Sequence, residues 1–371
     1  MKILITVEYY WPKVGGAELV AQRIAEGLQS HGHSVDVATT FCDNRHEYVN
    51  GVRIHPFKIR GNSVKGIREG IRGEIRRYKE LITSNVYDVV IQYAAQTWHV
   101  DIALQNLDNI NAKKVLIPCG YSGLVLPSKK LFYYIYYMKL PSYLKKYDMI
   151  VYHSGAYADK AYGDKHQIKK YRIIPNGISF EEIVQDHVDF KTYYGISEQY
   201  VLLSVGNHYK LKNHKFIYDA YKKLGRSDVA LAMIGGKTFG YNSCYKSCHD
   251  VAKNKRGIYM LTDIPRSHVL SAYNQSDIFV SGSSVECFPV VILEAMAFKL
   301  PYVSTNCGSV SELCGGVIVD TPSEMARQID RLLNSPDARA EMGVCGYEQC
   351  MDKYALDSIT RQYNDLVQEL V

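Results

Sequence analysis

Short apolar runs alternate with longer amphipathic stretches along most of the chain. The first run, KILITV, leads to Gly15 and Gly16, and then Ala17, Val20, Ala21, Ile24, Ala25 and Leu28 fall at the spacing of one helix face. Gly32 closes that segment ahead of the next run, SVDVAT. A strand, helix, strand unit of the parallel kind follows from this order. The runs YDVVIQY, KKVLIP and YDMIVYH continue it at helical separations, so residues 1–180 read as one doubly wound, Rossmann-like α/β domain.

Beyond YRIIPNGISF the chain turns polar and acidic through Gln185, Asp186 and Asp189, which marks a crossing between domains. A second alternation then occupies residues 195–354: YVLLSVG, VALAMIGG, IYML, DIFVSG, PYVST and GVIV, with helices expected over 214–224, 241–254 and 266–274. The chain closes on an amphipathic helix over 355–371. Two doubly wound sheets facing each other would put the carboxyl ends of their strands around one crevice, where ligands of such sheets bind.

Composition narrows the class. A chain of 371 residues, 47% hydrophobic and 22% charged, accommodates two domains. No apolar run reaches membrane-spanning length, and the first residues lack the layout of a leader, so a cytoplasmic protein is expected. Nine scattered cysteines fit free thiols in a reducing compartment. Cys244, Cys248 and His249 offer too few ligands at the wrong spacing for a structural metal, and no metal or other cofactor is expected. The turn after the first strand has no GxGxxG, which argues against a dinucleotide. The formal net charge of +6 gathers early, with Lys58, Arg60, Lys65, Arg68, Arg72, Arg76, Arg77 and Lys79 against Glu69 and Glu74. That segment reads equally as a solvated helix face or as a surface for anionic lipid. SKKLFYYIYYMKLPSYLKK, residues 128–146, has the mixture of lysine and aromatic residues found at bilayer interfaces and in aromatic core helices. A third use of the basic helix, nucleic-acid binding, predicts steep salt dependence, and no nucleic-acid partner is expected.

The candidate chemistry lies at strand ends. Gly15 and Gly16 let backbone N–H groups at a helix start approach a phosphate, although glycines there also serve as a plain turn. Gly206 ends a strand in the same way, with Asn207, Lys210 and Lys212 in the loop after it, where a lysine meets either a diphosphate or only solvent. The stretch SSVECFPVVILEAMAFKLPYVST carries Glu286 and Glu294 inside apolar sequence. With a helix starting near Pro289, Glu286 sits in the preceding loop, Glu294 one and a half turns along, and Val290 and Val291 present N–H groups. Buried carboxylates need hydrogen-bond donors, and the hydroxyls of a sugar nucleotide supply them; a surface Glu286 and a Glu294 that caps a neighbour is the plainer alternative.

SSVECFPVVILEAMAFKLPYVSTNCGSVSEL resembles the signature of the retaining GT-B glycosyltransferases of family 4, the glycosyl transferases group 1. GGAE, RIIPNGIS, VGNHYKLK, IPRSHVLSAYNQSDIFVSGS and the final helix, which in that family crosses back to the first domain, extend the likeness over nearly the whole chain. The resemblance implies a GT-B fold with an acceptor-binding first domain and a nucleotide-sugar-binding second one. It also implies metal-independent transfer, with retention, from a nucleoside diphosphate sugar to a glycan or lipid-linked acceptor of the cell surface. A UDP-sugar is the favoured donor by family habit, and the place of work is the cytoplasm or the inner face of the membrane. By position, Gly16 would touch the diphosphate, Lys212 would balance its charge, Glu286, Cys287 and Phe288 would hold the sugar, Val290 and Val291 phosphate, and Glu294 ribose. Cys119 and Tyr121 would lie on the acceptor side. Three positions depart from the pattern: Asn207 replaces the usual arginine, Cys119 a histidine and Cys287 a glycine. A sugar-nucleotide-binding protein with weakened catalysis is the alternative they raise.

Overall fold

The computed structural model describes residues 1–13, 15–64, 70–125, 131–184, 188–238 and 242–371. Lys65, Arg68 and Glu69 of the basic segment, Ser128 to Lys130 of the aromatic one, and Gln185 and Asp186 of the crossing lie outside them. The chain forms two units, one of Met1–Asn176 with Leu356–Val371, the other of Gly177–Ala355.

The first unit is built on strands β1 (Lys2–Thr6), β2 (Ser34–Thr40), β3 (Tyr48–Val49) and β4 (Val52–Phe57). A separate hairpin, β5 (Ile59–Arg60) with β6 (Arg72–Gly73), precedes β7 (Val89–Tyr93), β8 (Lys113–Ile117), β9 (Met149–Tyr152) and β10 (Tyr171–Ile173). The sheet order is β10-β9-β8-β7-β1-β2-β4-β3, parallel except for β3 against β4. β4 contains Pro56, tolerated because the register there faces only Thr39 of β2; β3 pairs no further than Val52 and Arg53. The helix Gly16–Ser30 buries Val20, Ala21, Ile24, Ala25 and Leu28, five of the six positions its spacing selects, and leaves Ala17 exposed. The terminal helix Leu356–Leu370 packs on it. The approach is close at Gly27, where any Cβ would overlap the Thr360 side chain, so only glycine fits. His33 Nε2 to Asn364 Oδ1 (2.9 Å) and the Arg172–Glu369 ion pair fasten the same helix at two further points.

The second unit has β11 (Tyr200–Val205), β12 (Val229–Ile234), β13 (Ile258–Leu261), β14 (Ile278–Ser281), β15 (Tyr302–Thr305) and β16 (Gly316–Val319), all parallel, in the order β13-β12-β11-β14-β15-β16. Strands that are buried on both faces carry near-continuous apolar sequence, as VALAMI in β12 does. Two helices that the alternating pattern does not announce follow β16, Pro322–Leu333 and Pro336–Lys353. The first has a start signal in Thr321, whose hydroxyl accepts from Glu324 N at 3.2 Å, with Pro322 in the first turn.

In both sheets the chain order reverses at one place, between β1 and β7 in the first and between β11 and β14 in the second. The crevice beyond the carboxyl ends of those strand pairs is the standard ligand position for such sheets.

Candidate active site

The second unit concentrates its chemistry at that reversal. β11 ends at Val205, and the turn through Gly206 and Asn207 enters the short 3-10 turn Lys210–Lys212. Asn213, in the left-handed region (φ 48°), starts the helix His214–Leu224. The aliphatic stem of Lys212 lies over Gly206, where a Cβ would stand 3.4 Å from Lys212 Cδ. From the other side of the reversal, the loop after β14 delivers Glu286, whose Oε1 accepts from Lys212 Nζ at 2.5 Å, both side chains largely buried. Ser284 N and Oγ donate to Leu211 O (2.9 and 3.0 Å), tying the two loops together. A third loop seals them: Gly308, at φ +62°, sits where a Cβ would press on Cys287 O (2.6 Å) and Glu286 O (2.7 Å), and Ser309 N donates to Cys287 O.

Pro289 caps the helix Val290–Ala297 with extended backbone, and no side chain caps its start. Ile292 N makes the first bond, to Pro289 O (3.1 Å), so the Val290 and Val291 N–H groups have no intrahelical acceptor. Phe288 is buried edge-on against Tyr354. Glu294 is buried, and its Oε1 accepts from Arg266 Nη2 at 2.5 Å, while Arg266 also reaches Glu182 at 3.3 Å. Arg266 opens its own helix directly after Pro265, and no spacing rule links it to a glutamate 28 residues later. Asn207, at the position of the usual arginine, turns its Oδ1 to Gly236 N (2.9 Å), bracing the turn after β12.

In the first unit, Gly15 precedes the helix Gly16–Ser30 with extended backbone, and Glu18 folds back over it. Burial raises the Glu18 carboxyl above its usual range. Cys119, in the left-handed region at φ 55°, has an imidazole beside it after all, because His153 Nε2 lies 3.6 Å from its Sγ. His153 Nδ1 contacts Ile174 O (2.9 Å), so it carries the proton, and the bare Nε2 accepts from the thiol. Burial pushes that thiol up to about 12 and the imidazole down to about 4, which keeps both neutral. Asp159, raised by burial to about 6, accepts from Gly120 N and Lys160 N. Tyr121 is the other residue expected on the acceptor side. Its ring is fully buried in the core against Tyr137 and Tyr162, with no surface to offer an acceptor. His153 and Asp159 escape sequence reading because Cys119 and Gly120, which they meet, lie 34 and 39 residues earlier in the chain.

The model of the glycosyl transferases group 1 matches residues 190–349, and that of glycosyltransferase family 4 matches residues 14–182. An uncharacterized glycosyltransferase of Methanocaldococcus jannaschii is 23% identical over 98% of this chain and 96% of its own length. The alpha-1,3/1,6-mannosyltransferase ALG2 of Homo sapiens is 23% identical over 96% of this chain and 94% of its own. Among solved structures, sucrose-phosphate synthase of Thermosynechococcus elongatus superposes with a TM-score of 0.83 at 16% identity, covering 100% of this chain and 98% of that one. Anabaena HepE in complex with UDP-glucose gives 0.79 at 16% identity, covering 100% of both. Two sheets with one reversal each, matched along their length by these two families, make the chain a GT-B glycosyltransferase that belongs to the glycosyl transferases group 1.

Proposed function

We propose that the protein transfers a hexose or N-acetylhexosamine from a UDP-sugar to a glycan or lipid-linked acceptor, with retention at the anomeric carbon. The observation that carries this reading is the Lys212–Glu286 pair at the reversal of the second sheet, next to the unpaired start of Val290–Ala297. As the sugar leaves, negative charge grows on the diphosphate, and Lys212 with the Val290 and Val291 N–H groups meets it in fixed positions. Glu286 takes the sugar hydroxyls and holds Lys212 in place. Glu294, paired with Arg266, takes the ribose. Lys212 thereby does the charge balancing that a divalent cation does elsewhere. HepE, crystallised with UDP-glucose, and the capsular polysaccharide glycosyltransferase CapM of Staphylococcus aureus, 24% identical over 52% of this chain, favour the UDP-sugar and the surface-glycan setting.

Thermal denaturation in the presence of UDP, UDP-sugars, GDP and ADP tests the donor. UDP at a hundredfold excess over its Kd stabilises by roughly 2.7 kcal/mol, and Lys212→Ala removes most of the shift. A melting point unmoved by any of these nucleotides sinks the proposal. A second reading, donor binding with weakened catalysis, draws on Asn207, which spends its carbonyl on Gly236 and adds no cation. It predicts the UDP shift without turnover of any UDP-sugar, even to water.

The lipid-linked acceptor rests on the helix Leu131–Leu144, which exposes Leu131, Tyr134 and Met138. Among the described residues no helix is long and apolar enough to cross a membrane, so contact would be peripheral. Flotation with vesicles rich in anionic lipid is expected to carry the protein, and replacing those three residues by serine is expected to release it. Equal flotation of the two forms would remove this helix from the reading.

A further inference from the structure

Beneath the loop that carries Lys210 and Lys212 lies a group of side chains that the transferase reading does not use. His208 and His214 bracket those lysines, and Cys244 and Cys248 come from the start of the helix Tyr245–Lys253. One ligand atom from each of the four falls within 4.8 Å of the others. Both thiols approach the same nitrogen, with His214 Nδ1 3.4 Å from Cys244 Sγ and 3.7 Å from Cys248 Sγ. His249, the histidine adjoining the cysteines in sequence, is instead exposed and turned toward Asp250.

Hydrogen bonding alone leaves this group unsatisfied. An imidazole nitrogen has one lone pair and accepts from one thiol, so the second thiol is left with only the weak sulfur acceptor of its neighbour. His208 is 1% exposed, and among the described residues neither of its ring nitrogens has a hydrogen-bond partner, although a neutral imidazole carries one donor and one acceptor. A cation placed among the four resolves all of these at once. With zinc bonds of about 2.3 Å to sulfur and 2.05 Å to nitrogen, tetrahedral ligands stand roughly 3.5 Å apart for sulfur to nitrogen and 3.8 Å for sulfur to sulfur. Two sulfur to nitrogen separations already match, and all four ligand atoms lie within 4.8 Å of one another.

We propose that His208, His214, Cys244 and Cys248 form a structural zinc site of the two-cysteine, two-histidine kind. Two sulfur and two nitrogen donors in tetrahedral array select zinc over magnesium or calcium. On binding, the two thiols release their protons to solvent, and two thiolates with two neutral imidazoles leave the buried centre without net charge. Four protein ligands leave no open position, so the ion holds structure and touches no substrate. What it holds is the stretch from His208 to His214, already hydrogen-bonded to the same neighbour through Lys210 N to Asn242 O (2.8 Å) and Cys244 N to His208 O (2.8 Å).

The test uses the full chain purified under reducing conditions. Elemental analysis is expected to find about one zinc per chain. Replacing it with Co2+ is expected to give the visible bands of a tetrahedral centre with a thiolate charge-transfer band in the near ultraviolet. His208→Ala and Cys248→Ser are each expected to lower the bound zinc to below about a tenth, whereas Cys345→Ser, at an exposed thiol, leaves it unchanged. Should those two variants fail to fold, alkylation of the parent protein decides: zinc is expected to shield the part-exposed Cys244 from iodoacetamide while Cys345 reacts. Absence of zinc together with a cobalt spectrum lacking thiolate bands overturns the proposal. So does zinc retained in full by folded His208→Ala and Cys248→Ser, or equal alkylation with and without metal.

Discussion

Glu286→Gln is expected to lower kcat for transfer by about a thousandfold, the scale on which a single preorganised electrostatic group acts at a transition state. The substitution is nearly isosteric and keeps a hydrogen bond to Lys212 Nζ, so the loops joined by Ser284 and Leu211 stay in place. The loss therefore falls on chemistry, and binding of UDP, measured by calorimetry, is expected to change by less than about threefold. Lys212→Ala behaves differently, weakening UDP binding and kcat together, because the lysine is assigned to the diphosphate. Since the two side chains form one unit at 2.5 Å, the double variant is expected to be little worse than the poorer single one. A Glu286→Gln enzyme that keeps a tenth or more of its activity would take this residue out of the catalytic role.

Arg266→Ala carries the second large effect, on stability. Glu294 lies 4% exposed, and removing its cation strands a carboxylate in the core of the second unit. Breaking a buried pair from one side costs about 3–5 kcal/mol; because Arg266 is itself 41% exposed, about 3 kcal/mol is expected. Urea denaturation followed by the fluorescence or circular dichroism of the chain reads this out. Glu294→Gln placed on top of Arg266→Ala removes the stranded charge and is expected to restore at least half of the loss. If Arg266→Ala unfolds at the parent's urea midpoint, the ion pair is ornamental.

The sheets were legible in the sequence because parallel strands buried on both faces must be apolar throughout; each run quoted, from KILITV to GVIV, lies on a strand. β4 was not, because Pro56 demotes its run in any reading of the chain alone, and only the local one-sided pairing makes it harmless. Pro322–Leu333 was announced by Thr321 and Glu324, a signal the apolar alternation drowned out. At the site, Glu286 and Glu294 stood out as charges in apolar sequence, but their cations lie 74 and 28 residues earlier. Lys212 was reachable from its place after a glycine, whereas Arg266 had only its position at a helix start. The cysteine pair was visible, yet pairing it with the adjacent His249 missed the two histidines that the β11 turn brings to it.

One feature of the chain's route bears on how the molecule is made. The second unit is a continuous segment whose ends meet, with Ile178 N bonded to Tyr354 O at 2.8 Å and Ile178 bridged to Ala355. The first unit is split around it and keeps the groove along Gly16–Ser30 for a helix that begins only at Leu356. During synthesis, then, the segment translated later can finish its fold first, whereas the segment translated first waits with one face of that helix uncovered. The usual order in which domains mature on the ribosome, amino end before carboxyl end, is inverted by sixteen residues of helix and tail.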